Sequence, residues 1–235
     1  MTGFRPQSEA RDPAAAWEGV ASALLIYGAA YLLAALVAPR VLGEASGRPD
    51  DGLYRSVFVL IAASAGGSLL AAAAARRATV RAILSGDAAH AKRPWRWSLA
   101  LHLPLIVAYQ LCVWGVRRAV TGAAEDPVAA RLLDTAPTIV LPVAAIGVVG
   151  PIYEELFWRG LVQGALLRML GSAWPAVLLT SGLFAASHFG YPPIQLTYML
   201  CFGAYLGFLR HASQSLHVPI CLHVAWNLLL FVPAL

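Results

Sequence analysis

Apolar residues run in blocks about 20 residues long, broken by short polar stretches, with no sustained alternation at every second position. The blocks lie at 17–38, 53–75, 98–117, 136–157, 173–189, 194–210 and 216–233. A helix needs about 20 apolar residues to cross the hydrocarbon core, whereas a barrel strand needs about ten alternating ones. Helices also satisfy their own backbone groups in lipid. The pattern therefore predicts an all-α fold, a polytopic transmembrane bundle of seven helices. Pro142, Gly147, Gly150 and Pro151 offer points of breakage in the fourth block, and a break there raises the count to eight.

Composition sharpens this picture. Hydrophobic residues make up 59% of the 235, and charged residues only 12%, against roughly 25% in a soluble domain. The basic charge is concentrated: Arg76, Arg77, Arg81, Lys92, Arg93 and Arg96 face a single acid, Asp87, in the loop 76–97. By the positive-inside rule that loop and the N-terminus are cytoplasmic, in a multi-pass protein of the inner (plasma) membrane. The net charge of +5 fits contact with anionic membrane lipid rather than with nucleic acid. Trp95 and Trp97 beside these cations read as an interfacial anchor. The first apolar block is long enough to be a retained helix rather than a leader. Cys112, Cys201 and Cys221 lack metal-knuckle spacing and read as small buried hydrophobes.

Against this background two carboxylates stand out. From Thr135 onward Glu154 and Glu155 are the only acids, and Arg159, Arg168 and Arg210 the only Lys or Arg. Desolvating a carboxylate costs several kcal/mol unless it is paired, hydrated or protonated. On a helix Glu155 and Arg159 are four apart and share a face, while Glu154 points about 100° away toward a neighbouring cavity. That divides labour between one neutralised carboxylate and one available as a base. Phe184 and His188 share a second helical face, and His223 and Asn227 a third. Two donors stacked one turn apart suit a developing oxyanion. Depth poses a difficulty: with helix four ending at residue 157, Glu154 and His188 would lie near opposite membrane surfaces. Helix four must run on toward Leu170, or one of these segments must be tilted, broken or re-entrant.

The motifs Glu154-Glu155-x-x-x-Arg159, Phe184-x-x-x-His188 and His223-x-x-x-Asn227 resemble, complete and in order, those of the CPBP family of intramembrane proteases, also called the CAAX protease or Abi family. The resemblance covers residues 136 to 233. It implies a variable region of three transmembrane helices at 1–135 and a catalytic helical core at 136–235. It also implies a glutamic, metal-independent endopeptidase with no cofactor. Glu154 and His188 would activate water, His223 and Asn227 would hold the oxyanion, and Glu155, Arg159 and Phe184 would support them. The substrate would be a peptide or protein at or in the membrane. Trp158 stands where many members carry a smaller side chain or phenylalanine, implying a reshaped cavity mouth. The chain lacks an obvious further span after Asn227, which argues against prenylated CAAX substrates. Its alanine-rich, arginine-preferring composition has a bacterial character.

Three other readings compete. A zinc protease using His188, His223 and a glutamate would need convergent ligands, and no His-Glu-x-x-His helix is present. A membrane immunity or scaffold protein would retain the same residues without turnover. A transporter would show repeats or paired broken helices, and neither stands out.

Overall fold

The computed structural model describes residues 95–123, 143–188 and 191–234, with Ala130, Leu133 and Val140 as single positions. The expected helices at 17–38 and 53–75, the cytoplasmic N-terminus and nearly all of the loop 76–97 lie outside the described residues.

Helix α1 spans Trp95–Thr121. It begins inside the stretch expected as a loop and continues past the expected end at residue 117. Its segment Ser98–Thr121 is, among the described residues, the one helix long and apolar enough by itself to cross a bilayer. Leu101, Leu105, Leu111 and Val120 are more than half exposed along it, an outward apolar surface that suits lipid.

Helix α2 is continuous from 143 to 170. It consists of π-helical Val143–Val149, α-helical Gly150–Glu155, π-helical Leu156–Val162 and α-helical Gln163–Leu170. The junction residues Val149, Leu156 and Gln163 all keep right-handed helical dihedrals, so the path is never interrupted. Pro151 brings no N–H, and its ring crowds the carbonyl four residues back; the wide turns just before it accommodate both without a break. The helix stops where Gly171 adopts φ +65° and its N–H bonds the Leu167 carbonyl at 3.0 Å. In that left-handed conformation glycine carries no Cβ penalty.

This length resolves the depth problem. Glu154 lies sixteen residues before Leu170, and His188 fifteen after Ala173. At 1.5 Å per residue, both sit roughly 22–24 Å from the turn that joins their helices.

Helices α3 (Ala173–Ala186), α4 (Pro193–Ser213) and α5 (His217–Leu230) follow, with a final 3₁₀ turn at Val232–Ala234. Pro193 opens α4, where its missing N–H is harmless. Helices α3 and α4 form the most extensive pairing, an antiparallel one in which Trp174 stacks on Phe208. Helix α5 packs against α1 and the first half of α2. One buried cluster joins Ile106 and Val113 of α1 to Phe202 and Leu206 of α4 and to Leu222 and Trp226 of α5. A second joins Phe157, Val162 and Leu166 of α2 to Ala176 and Phe184 of α3.

Two expectations need correction. Cys112, Cys201 and Cys221 are all exposed rather than buried. A bundle in lipid presents apolar side chains outward as well as inward, so hydropathy does not distinguish the two. Trp158 is 2% exposed and packs edge-on to Phe157 in the core, and it is absent from the walls of the cavity described below.

Candidate active site

The unbroken α2 carries both glutamates on adjacent faces, and their surroundings differ. The Glu155 side chain is fully buried, while that of Glu154 is 17% exposed. Glu155 Oε1 accepts from Arg159 Nη1 at 2.7 Å and from His223 Nδ1 at 2.7 Å. One carboxylate oxygen thus ties α2 to itself and to α5.

Arg159 is held on several sides. Its Nη2 donates to the Gly203 carbonyl at 3.1 Å, and its Cζ lies 4.6 Å from the centre of the Phe184 ring, a cation–π distance. One turn further along α2, Gln163 Nε2 donates to the Gly207 carbonyl at 2.9 Å. Two side chains one turn apart on α2 therefore grip two carbonyls one turn apart on α4. The approach leaves little room for a methyl group: a Cβ at position 203 would lie 3.1 Å from Phe184 Cδ1, and one at 207 would lie 3.0 Å from Gln163 Oε1.

Phe184 and His188 share a face as their spacing predicts, with ring centroids 4.8 Å apart and near-perpendicular planes. His188 Nδ1 lies 2.8 Å from the Phe184 carbonyl oxygen, which fixes the ring just beyond the end of α3. His223 sits edge-on to both Phe184 and Phe202. With Nδ1 committed to Glu155, its Nε2 lies 3.7 Å from Glu154 Oε2. Asn227 Nδ2 donates to the Ile146 carbonyl at 2.9 Å. That bond anchors α5 to the π-helical start of α2, where a Cβ on Gly147 would meet Leu228 at 2.8 Å.

These residues meet at one cavity of about 210 Å³, whose walls include Glu154, Phe184, His188, His223 and Asn227. Glu155 and Arg159 lie behind that wall, buried. Glu154 is nearer His223 than the expected partnership with His188 implies: no Glu154–His188 ion pair forms within 4 Å among the described residues. Val113 and Arg117 of α1 complete one side, so a helix from the chain's N-terminal region is built into the site.

Sequence reasoning passed over several lining residues, among them Arg117, Tyr191, Gln195 and Tyr198. It also missed Gln163, Gly203 and Gly207. Gln163 follows Arg159 at the same four-residue spacing that marked Glu155, and Gly203-x-x-x-Gly207 is a small-residue repeat of the kind that brings helices close. Both signals were available.

Among the described residues no group of three or more His, Cys, Asp or Glu side chains is arranged to hold a metal ion. What the geometry offers is a partly exposed carboxylate beside imidazole and amide groups in a small, partly sheltered cavity, backed by a neutralised carboxylate–guanidinium pair.

Compared with known families, residues 136–229 match the one described as type II CAAX prenyl endopeptidase Rce1-like. No curated protein and no solved structure matches the chain. The matched segment contains all of α2 to α4 and nearly all of α5, with every one of the motif residues. Residues 136–229 thus match a CAAX endopeptidase family, in agreement with the CPBP/CAAX protease motifs that the segment carries.

Proposed function

We propose that this protein is a glutamic, metal-independent intramembrane endopeptidase that hydrolyses a peptide or membrane-associated protein. The observation that carries the reading is the convergence of Glu154, His188, His223 and Asn227 on one cavity, with Glu155 withdrawn from it into an ion pair.

In this mechanism a water molecule enters between Glu154 and His188, and the Glu154 carboxylate takes its proton as the oxygen attacks the scissile carbonyl. The tetrahedral oxyanion is held by His223 Nε2–H and the Asn227 amide. Nδ1–H of His223 already bonds Glu155, so this role uses the doubly protonated ring. In that form two cations, His223 and Arg159, balance two carboxylates. Collapse of the intermediate breaks the C–N bond, and Glu154 returns the proton to the leaving amine. Metal independence is supported by the commitment of Glu155 Oε1 to Arg159 and His223. Around the core we propose seven or eight transmembrane helices, the region 1–135 supplying three, with the N-terminus and loop 76–97 cytoplasmic.

The experiment is a comparison of membrane proteomes from cells carrying the wild-type or the Glu154→Gln protein. The expected result is a set of peptides released only in the wild type. Identical proteomes, together with no cleavage by the reconstituted wild-type protein, would point instead to a scaffold or immunity role.

A further inference from the structure

The catalytic cavity shares a wall with a second one, of about 330 Å³, at the C-terminal end of α1 and the N-terminal end of α4. Three side chains line both: Arg117 of α1 and Gln195 and Tyr198 of α4. Val120, Pro192 and Ile194 give the second cavity its apolar surface. None of the three shared residues has a part in the chemistry above.

Their properties point one way. A guanidinium stays charged at any physiological pH and matches a carboxylate with a planar fork of donors. Gln195 is buried, and the Tyr198 hydroxyl is buried without a hydrogen-bond partner among the described residues. Leaving such a hydroxyl unpaired is unfavourable, so a ligand acceptor toward which the Tyr198 side chain can turn gains by pairing it. Arg117 and Gln195 each have a further contact within the protein, so a ligand would meet them as positioned groups. Meanwhile the Tyr198 carbonyl accepts from Tyr109 Oη of α1 at 3.1 Å, which ties this part of α4 to the helix that carries Arg117.

We propose that Arg117, Gln195 and Tyr198 form a substrate subsite that receives a carboxylate, with the adjoining apolar cavity taking a hydrophobic side chain beside it. The protein then selects peptides that carry an anion close to the scissile bond. The carboxylate comes either from the substrate's C-terminus or from an Asp or Glu side chain. This rests on the peptidase reading for its setting, but the subsite is tested by binding alone.

The test uses the full chain carrying Glu154→Gln, in lipid nanodiscs, and fluorescein-labelled decapeptides of Ala, Leu and Val read by anisotropy. One peptide has a free C-terminus, one is C-terminally amidated, and one is amidated with a single internal Glu. At least one anionic peptide should bind about 10-fold more tightly than the neutral one, the worth of a charge-assisted hydrogen bond. Which of the two does so identifies the source of the carboxylate. Arg117→Gln should abolish the preference, Arg117→Lys should keep part of it, and Tyr198→Phe should weaken it about 3-fold while leaving all charges in place. If Arg117→Gln does not fold, the Lys and Phe variants carry the comparison. Equal binding of all three peptides, no binding by the folded protein, or a preference that survives these substitutions overturns the subsite. Preference without cleavage by the wild-type protein would remove the peptidase reading and leave the subsite standing.

Discussion

His223 Nδ1 and Glu155 Oε1 lie 2.7 Å apart although 68 residues separate them in the chain. The same carboxylate oxygen also accepts from Arg159. Glu155 is therefore the joint between the helix that carries the proposed base and the helix that carries the proposed oxyanion donors.

Breaking that joint should unfold the protein more readily than disarming the base. Arg159→Ala leaves a buried carboxylate without its main counter-charge and should cost about 3–5 kcal/mol. Glu154→Gln alters a partly exposed side chain at the cavity and should leave the thermal midpoint in detergent nearly unchanged. Equal losses for the two variants would make Glu154 a structural residue as well.

Activity should follow the opposite order. With a reconstituted cleavage assay, Glu154→Gln and His188→Ala should abolish turnover by removing water activation. Asn227→Ala should lower kcat by roughly 100-fold or more through a lost oxyanion donor. Because Asn227 also bonds the Ile146 carbonyl, the same change should cost about 1 kcal/mol of stability. Full cleavage by folded Glu154→Gln protein would refute the mechanism.

The grip of α2 on α4 should be intolerant of a methyl group. Gly207→Ala places a Cβ 3.0 Å from Gln163 Oε1 and 3.1 Å from Val177 Cγ1, and should destabilise the fold by about 1–3 kcal/mol. Gly182→Ala, where nothing lies within 4 Å of the new atom, is the control and should be nearly neutral or slightly stabilising in a helix. Similar melting curves for the two variants would mean that α3 and α4 adjust freely.

Cleavage should survive chelation. Dialysis against EDTA should leave the rate unchanged within error, and metal analysis of the active protein should find no stoichiometric zinc. Loss of activity on chelation with recovery on adding zinc would revive the metalloprotease reading.

Local relationships were readable from helical spacing, whereas the meeting of Glu154, His188, His223 and Asn227 at one cavity was legible only through the motif resemblance. The Glu155–Arg159 pair and the shared face of Phe184 and His188 follow from helical spacing alone. The bond from Glu155 to His223 depends on how α5 docks, which no periodicity encodes. Helix α2 reads as ending near residue 157 because Arg159 and Arg168 lower its hydropathy. In the fold, Arg159 is neutralised within the bundle, so the helix need not stop. The cysteines failed for a different reason: a chain apolar on both its inner and outer surfaces gives no periodic clue to which face a small apolar residue occupies.

Helix α1 also gives the site a sidedness. Its first residues adjoin the basic cluster, while Arg117, at its other end, lines both cavities. Twenty-seven helical residues span about 40 Å, enough to set these ends at opposite faces of a bilayer. In the proposed orientation, the cavities open toward the exterior. A substrate would then arrive already exported, and a charged inhibitor that cannot cross the membrane would still reach the enzyme in intact cells.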